Sequence, residues 1–326
     1  MKERRSPLYL IVGVGGMVFA LIAVLGLLQM TQWGAAQRRL ADGAKIRVLV
    51  AVDPLAYLVE RIGGDRVVAT TLTPTGKDPE SFSPTPADLA ALASTRLFFR
   101  VGLAVEDRFA KNVASIAPDS RAVDLREGLD LLPNPCEHSH GEHSHAEHSH
   151  DEHSCSNSEL DPHVWTSPAT VRFLVEKATA ALCETSPEDA EFFQANAATL
   201  DAELAALQTE IATRLAPFKG RTFIVFHPAY GYFAREFHLS QRAIESQGKA
   251  PRPRELASLI ETARADGARA TIVQPEFDRA AAQVVANEIG AELLEHSPLE
   301  KDYFANLRAL TDVVERSFGP PSAPTP

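Results

Sequence analysis

The sequence predicts an α/β protein of two lobes, each built on a parallel sheet flanked by helices, with one long rigid helix joining them. Three observations carry that prediction. Short apolar runs alternate with helical stretches on both sides of the middle of the chain, as in βαβ units. Between the two halves, Phe193, Ala197, Leu200, Leu204, Leu207, Ile211 and Leu215 recur at steps of three and four, with no Gly or Pro until Pro217. The length of 326 residues suffices for two domains of ordinary size.

In chain order, Ile46–Val52 (IRVLVAV) reads as a buried strand, Val67–Leu72 as a second, Leu97–Val101 as a third and Ala122–Leu125 as a short fourth. The helix over Pro54–Ile62 opens with Asp53 and with proline at its first turn. Another spans Pro86–Ser94, and Pro168–Glu184 begins the helical middle. Ser186, Pro187, Glu188 and Asp189 form a strong helix start, an N-cap residue and a proline followed by acids that suit the positive end of the dipole. The helix that follows should run roughly 30 residues, roughly 45 Å, long enough to bridge two lobes. The second half has strands at Arg221–Phe226, Ala270–Val273 and Ala291–Leu294, and helices at Arg254–Ala265, Arg279–Ile289 and Tyr303–Phe318. These elements divide the chain into an N-terminal segment with linker (1–44), a first lobe (45–185), a linking helix (186–217), a second lobe (218–318) and a disordered tail (319–326).

The N-terminal segment carries Lys2, Arg4 and Arg5 ahead of an uncharged run from Leu8 to Leu28, enough residues to cross a bilayer. The basic flank favours the cytoplasmic side, which places the body of the chain outside it. An uncleaved transmembrane anchor and a signal segment cut near Gly34-Ala35-Ala36 are both consistent with this pattern. Charged residues make up 23 % and the formal net charge is -11, with no block of Lys or Arg in the body. That balance argues against a nucleic-acid partner.

Chemistry concentrates in the histidines. Seven of the eleven lie in Cys136–Cys155, CEHSHGEHSHAEHSHDEHSC: His138, His140, His143, His145, His148, His150 and His153. Imidazole is a good ligand for zinc, copper and nickel, and the interleaved Glu residues attract cations. No hydrophobic periodicity could fix these side chains, so the segment reads as a flexible loop that binds metal loosely. Cys136 and Cys155 bracket it; a disulfide, two free thiols or two extra ligands all fit, and a bridge would stabilise by about 3 kcal/mol in the chain-entropy account. Cys183 reads as a helix-face residue. Outside the loop, His227 follows the strand RTFIVF at its carboxyl end, where ligands bind in open α/β sheets. His163 lies in the turn DPHVW, and Glu80 lies in a Pro-rich loop after the second strand, at the mouth of the first lobe. His238 reads as structural, and Glu295 with His296 as further candidates.

The motifs GKDPESFSPTPADLAAL, VGLAVEDRF, DPHVWTSP, FHPAYGYFAREFHL, PRPRELASLI, IVQPEFD and SPLEKDYFANL occur in that order from about Lys45 to Leu310. Together they resemble the solute-binding proteins that serve zinc and manganese ABC importers, the ZnuA-like cluster. The histidine-rich insertion is similar to that of the zinc-type members. The resemblance implies a divalent metal between the lobes, held by His163 and His227. It also marks two departures: Glu80 stands where the first ligand loop commonly has His, and Ser297 where the last often has Asp, with Glu295 and His296 beside it, or water, as substitutes. Two imidazoles and a carboxylate suit Zn2+, with Mn2+ or Fe2+ as alternative metals.

The function these readings imply is a monomeric extracytoplasmic (periplasmic) binding protein that captures zinc and delivers it to an ABC permease in the membrane, with no enzymatic activity. A metal-stabilised adhesin or structural protein is the second reading. A metallohydrolase is the third, though the sequence has no HExxH motif and no nucleophile elbow.

Overall fold

In a computed structural model, residues 45–90, 93–134, 160–245, 253–265, 268–277 and 279–319 are described. The N-terminal run, the histidine-rich loop with Cys136 and Cys155, and the tail beyond Gly319 lie outside them. Among the described residues no helix is long and apolar enough to cross a membrane.

The first sheet comprises β1 (Ile46–Val50), β2 (Val67–Thr71), β3 (Leu97–Arg100) and β4 (Arg121–Asp124). All pairings are parallel and the spatial order is β2-β1-β3-β4. Helices α1 (Asp53–Gly63), α2 (Pro86–Ala90) and α3 (Ala104–Ile116) fall between its strands. The second sheet comprises β5 (Thr222–Val225), β6 (Ser240–Ala243), β7 (Ala270–Val273) and β8 (Glu292–Glu295), again parallel, in the order β6-β5-β7-β8. The two sheets therefore share one topology. In each, the order reverses between the first and third strands, and the carboxyl ends at that reversal form a natural binding crevice. The second sheet carries α6 (Gly231–Glu236), α7 (Pro253–Ala265) and α8 (Arg279–Ile289), and the described chain closes with α9 (Tyr303–Phe318).

Between the sheets run α4 (Pro168–Thr185) and α5 (Ala190–Leu215). Ser167 caps α4, its hydroxyl accepting from Thr170 N, and Pro168 occupies the first turn. The chain leaves α4 at Ser186 and makes a 3-10 turn over Pro187–Asp189 before α5 begins. The expected long helix is present: 3-10 turns at Pro187–Asp189 and Ala216–Phe218 adjoin α5 without a break, and Pro187 sits in the first turn, where a missing N–H costs no helical bond, while Ser186 Oγ donates to Asp189. α5 has 26 residues, about 39 Å of length. Of its periodic residues, Phe193, Leu200, Leu204, Leu207, Ile211 and Leu215 are buried and Ala197 is half-buried.

That stripe belongs to one hydrophobic core that continues through both sheets, from Leu49 and Phe98 to Phe223, Tyr303 and Phe318. Burial at about 25 cal/mol per Å² makes such a shared core the main force holding the halves in register. A smaller cluster, with Ile224, Phe226, Val273 and Val285, covers the outer face of the second sheet. Arg172 with Asp201 ties α4 to α5, and Arg308 with Glu210 ties α9 to it. Cys183 is half-buried on α4, as a helix-face residue should be, with Sγ 3.7 Å from Ala190 O. In the VGLAVEDRF motif, Glu106 is fully buried and accepts from the N–H groups of Val101 and Gly102. Burial pushes its pKa up to about 7.

Candidate metal centre

Three of the sequence-predicted residues converge. Glu80, His163 and His227 offer ligand atoms that all lie within 4.8 Å of one another. They come from three separate segments: the loop after β2, the DPHVW turn before α4, and the residues after β5.

Each histidine is fixed from its far side. Asp161 Oδ1 accepts from His163 Nδ1 at 2.8 Å and from His163 N at 2.9 Å, so one carboxylate holds both ring and backbone. Tyr232 OH donates to Asp161 O at 2.8 Å, and Thr166 Oγ1 donates to His163 O at 2.9 Å. His227 Nδ1 lies 2.5 Å from Glu245 Oε1. Its backbone is clamped twice by Gln274, whose Oε1 accepts from His227 N and whose Nε2 donates to His227 O. Phe277 stacks on the His227 ring with centroids 4.7 Å apart and an interplanar angle of 17°.

Carboxylates only accept when ionised, so both Nδ1 atoms carry the proton and both Nε2 atoms carry a lone pair. Those two Nε2 atoms are 3.2 Å apart. Two facing lone pairs repel unless a cation or a proton stands between them. Zinc bonds of about 2.0–2.1 Å at a tetrahedral angle would set the nitrogens roughly 3.3 Å apart, so the donor pair fits that metal. The carboxylate behind each imidazole is the outer support typical of metal-bound histidines.

Both rings are buried, His163 with 5 % and His227 with 6 % exposure. Burial opposes charge on His163, but the hydrogen bond and charge of Asp161, with the charges of Glu80 and Asp78, outweigh it and raise its pKa above the ordinary 6.5. Glu80 is the accessible member; its Oε1 lies 3.8 Å from His227 Nε2. Its loop is held by Asp78, which accepts from the N–H groups of Glu80 and Ser81. Arg108 of α3 donates to the carbonyls of Glu80 and Phe82. Among the bonds that cross the halves, Trp165 Nε1 donates to Pro298 O at 3.0 Å.

The structure does not bring Glu295 and His296 to this group, and each has a local reason. Glu295 ends β8 on the surface and pairs with Arg279 at 2.8 Å. His296 is buried with both ring nitrogens engaged, Nδ1 with Tyr230 OH at 2.9 Å and Nε2 with Asn306 O at 3.1 Å. Burial lowers its pKa to about 4, so it stays neutral. Ser297 accepts from Leu299 N and donates to Glu276 Oε1. Burial raises the Glu276 pKa; the Ser297 bond opposes this, while the charges of Glu300 and Asp78 add to it. The seven loop histidines lie outside the described residues.

Sequence reasoning missed Glu245, and it named Asp161 only as part of a motif. Glu245 follows β6, whose SQRA sequence has no apolar alternation to announce a strand. Pairing of β6 with β5 is what brings Glu245 beside His227. For Asp161, its place two residues before a candidate ligand was the available signal.

The fold and the site together define a two-lobed binding protein whose crevice gathers imidazoles from both halves. Residues 48–317 match the family described as zinc-uptake complex component A, periplasmic, and the chain belongs to that family. It is a metal-binding solute-binding protein of the ZnuA type. It is similar to the zinc-binding protein AdcA of Streptococcus pyogenes serotype M3, with 27 % identity over 326 residues, covering 93 % of this chain and 62 % of that relative. A solved ZnuA deletion mutant with zinc bound superposes with a TM-score of 0.75 at 29 % identity, covering 86 % of this chain and 100 % of that one. FpvC of Pseudomonas aeruginosa in complex with Mn2+ has a TM-score of 0.68 at 20 % identity, covering 84 % and 98 %, and shares the fold.

Proposed function

We propose that this chain captures zinc outside the cytoplasm with Glu80, His163 and His227 and delivers it to an ABC permease in the membrane. The observation that carries this reading is the pair of Nε2 lone pairs, one from each side of the crevice, 3.2 Å apart and each backed by a buried carboxylate. Such a pair is pre-formed for a cation. The N-terminal run, read as an anchor or a signal segment, puts the body on the extracytoplasmic side, and the family description points the same way. Zinc is favoured over manganese because two of the three donors are imidazoles. AdcA and the zinc-loaded ZnuA support that choice by analogy. Asp161 and Glu245 are committed to the imidazoles, which leaves neither as a general base and favours carriage over hydrolysis.

The test is zinc titration of chelator-treated protein, with melting followed in parallel. A carrier stays folded without metal and gains melting temperature only as ligand binding supplies it, about 2.7 kcal/mol at a hundredfold excess over Kd. Unfolding on chelation would instead support the structural-metal reading. Loss of zinc-limited growth on deletion of the chain, restored by added zinc, would connect binding to uptake.

A further inference from the structure

Zinc in a protein site takes four ligands, and Glu80, His163 and His227 supply three. The neighbours of Ser297 do not complete the set, since Glu295 is paired with Arg279 and His296 with Tyr230 and Asn306. We propose that Glu276 is the fourth ligand, a carboxylate that Ser297 holds beside the crevice until metal arrives. The inference rests on the capture reading above and names the residue that completes the same site.

Four observations converge on Glu276. The first is topological. β5 and β7 are the adjacent strands at the order reversal of the second sheet; His227 follows one and Glu276 the other. Carboxyl ends at such a reversal face one crevice. The second is local. Gln274 is bonded to the His227 backbone and Phe277 is stacked on the His227 ring, so the residues on both sides of Glu276 are anchored to a ligand. The third is an unused acceptor: Glu276 Oε1 accepts from Ser297, while Oε2 is buried with no hydrogen-bond partner among the described residues. A buried carboxylate oxygen without a donor is unfavourable, and a cation would satisfy it. The fourth is charge. Asp78, two residues from Glu80 on the opposite loop, and Glu300 both act electrostatically on Glu276. Acids gathered across a crevice repel one another until a cation enters.

Glu276 lies outside the trio of donors within 4.8 Å, so the proposal requires its side chain to exchange the Ser297 hydroxyl for the metal. The resulting shell of two imidazoles and two carboxylates would be electrically neutral around Zn2+. Ser297 then has a definite role: where the family resemblance leads one to expect an aspartate ligand, this chain would have moved the carboxylate to the neighbouring strand end and kept a hydroxyl to hold it.

The experiment uses the full chain with the substitutions E276Q and H227A, measuring zinc affinity by chelator competition and the visible spectrum of the Co2+-loaded protein. Zinc affinity of E276Q should fall at least about tenfold, since even outer-shell losses cost 10–100-fold. The cobalt bands should change in position and intensity, because one ligand has been exchanged. Wild-type affinity together with a wild-type cobalt spectrum overturns the proposal. So does a weaker affinity with unchanged bands, which would leave water as the fourth ligand and Glu276 outside the shell. If E276Q lowers the melting temperature of the metal-free protein, E276D decides: altered bands support the proposal, and wild-type bands with wild-type affinity overturn it. H227A separates the two levels of inference, because zinc affinity and cobalt bands that stay at the wild-type values in H227A sink the capture reading itself, whatever Glu276 does, whereas on that reading only the loose binding of the histidine-rich loop should remain.

Discussion

Three buried histidines in this molecule have almost the same exposure and opposite chemistry. His163, His227 and His296 are each 5–6 % accessible. His163 and His227 give their Nδ1 protons to carboxylates and turn their Nε2 lone pairs toward one another. His296 gives its Nε2 proton to the Asn306 carbonyl and accepts from Tyr230 at Nδ1, so nothing remains to bind a ligand. The difference teaches that burial and position near a strand end do not make a histidine a ligand. The partner of the far nitrogen decides whether a ring is available to a metal, because that partner sets the tautomer and leaves the near nitrogen open or closed.

The sharpest way to break this comparison is to remove the rings in turn. H163A or H227A should lower zinc affinity by about 100-fold or more, whereas H296A should leave it within about threefold and instead destabilise the fold by about 2–3 kcal/mol, through a cavity and the loss of the ring's donor to the Asn306 carbonyl, the Tyr230 hydroxyl keeping its bond to the residue 296 carbonyl. Isothermal titration and urea melts on the metal-free proteins measure both. Equal losses of affinity from all three would erase the distinction.

A smaller effect is expected from the carboxylate behind His227. E245Q keeps the size of the side chain but removes the charge that fixes the ring. Zinc affinity should drop about 10- to 100-fold, with the metal-free melting temperature little changed. An unchanged affinity would make Glu245 merely a buried neighbour.

Acid sharpens the contrast in another way. The folded pKa of His163 lies above 6.5, so protons begin to compete with metal while the pH is still above that value. Zinc affinity should weaken as pH falls from 8 to 5.5. His296, with its pKa near 4, contributes nothing in that window. The sign reverses for the metal-free protein: a histidine whose folded pKa is raised stabilises the fold below its unfolded pKa and loses that contribution as pH rises through the folded one. Acid should thus weaken the zinc complex while favouring the folded metal-free form at this ring. An affinity flat over pH 8 to 5.5 would contradict the tautomer assignment.

The smallest effect concerns one of the bonds between the halves. W165F retains the ring and loses the donor to Pro298 O, which should cost about 1–2 kcal/mol of stability and change zinc affinity only a few-fold. A melt and a titration on one variant suffice.

Much of this was legible in the sequence, for physical reasons that also mark where legibility stopped. β1, β3, β5 and β7 are near-continuous apolar runs because central parallel strands are covered on both faces. The step of three and four along α5 is written in Leu200, Leu204, Leu207 and Ile211 because that helix has one buried stripe. β6 is an edge strand, partly exposed and polar, so neither it nor Glu245 behind it gave a signal. His163 and His227 could be read from their turns, since both lie where the local chain direction changes at the end of an element. Glu295 and His296 could not be separated from them, because their fate depends on Arg279, Tyr230 and Asn306, which other segments supply. Sequence placed the candidate ligands; only the tertiary fold showed which imidazoles were left open.

The central claim is that His163 and His227 share one metal ion through Nε2. An anomalous difference map collected at the zinc absorption edge on crystals of the zinc-loaded protein addresses it directly. A single strong peak about 2.0–2.1 Å from both Nε2 atoms, with a Glu80 oxygen at about 2.0–2.2 Å, is the predicted result. Zinc bound elsewhere, with the two imidazoles still facing one another across an ion-free gap, would contradict it.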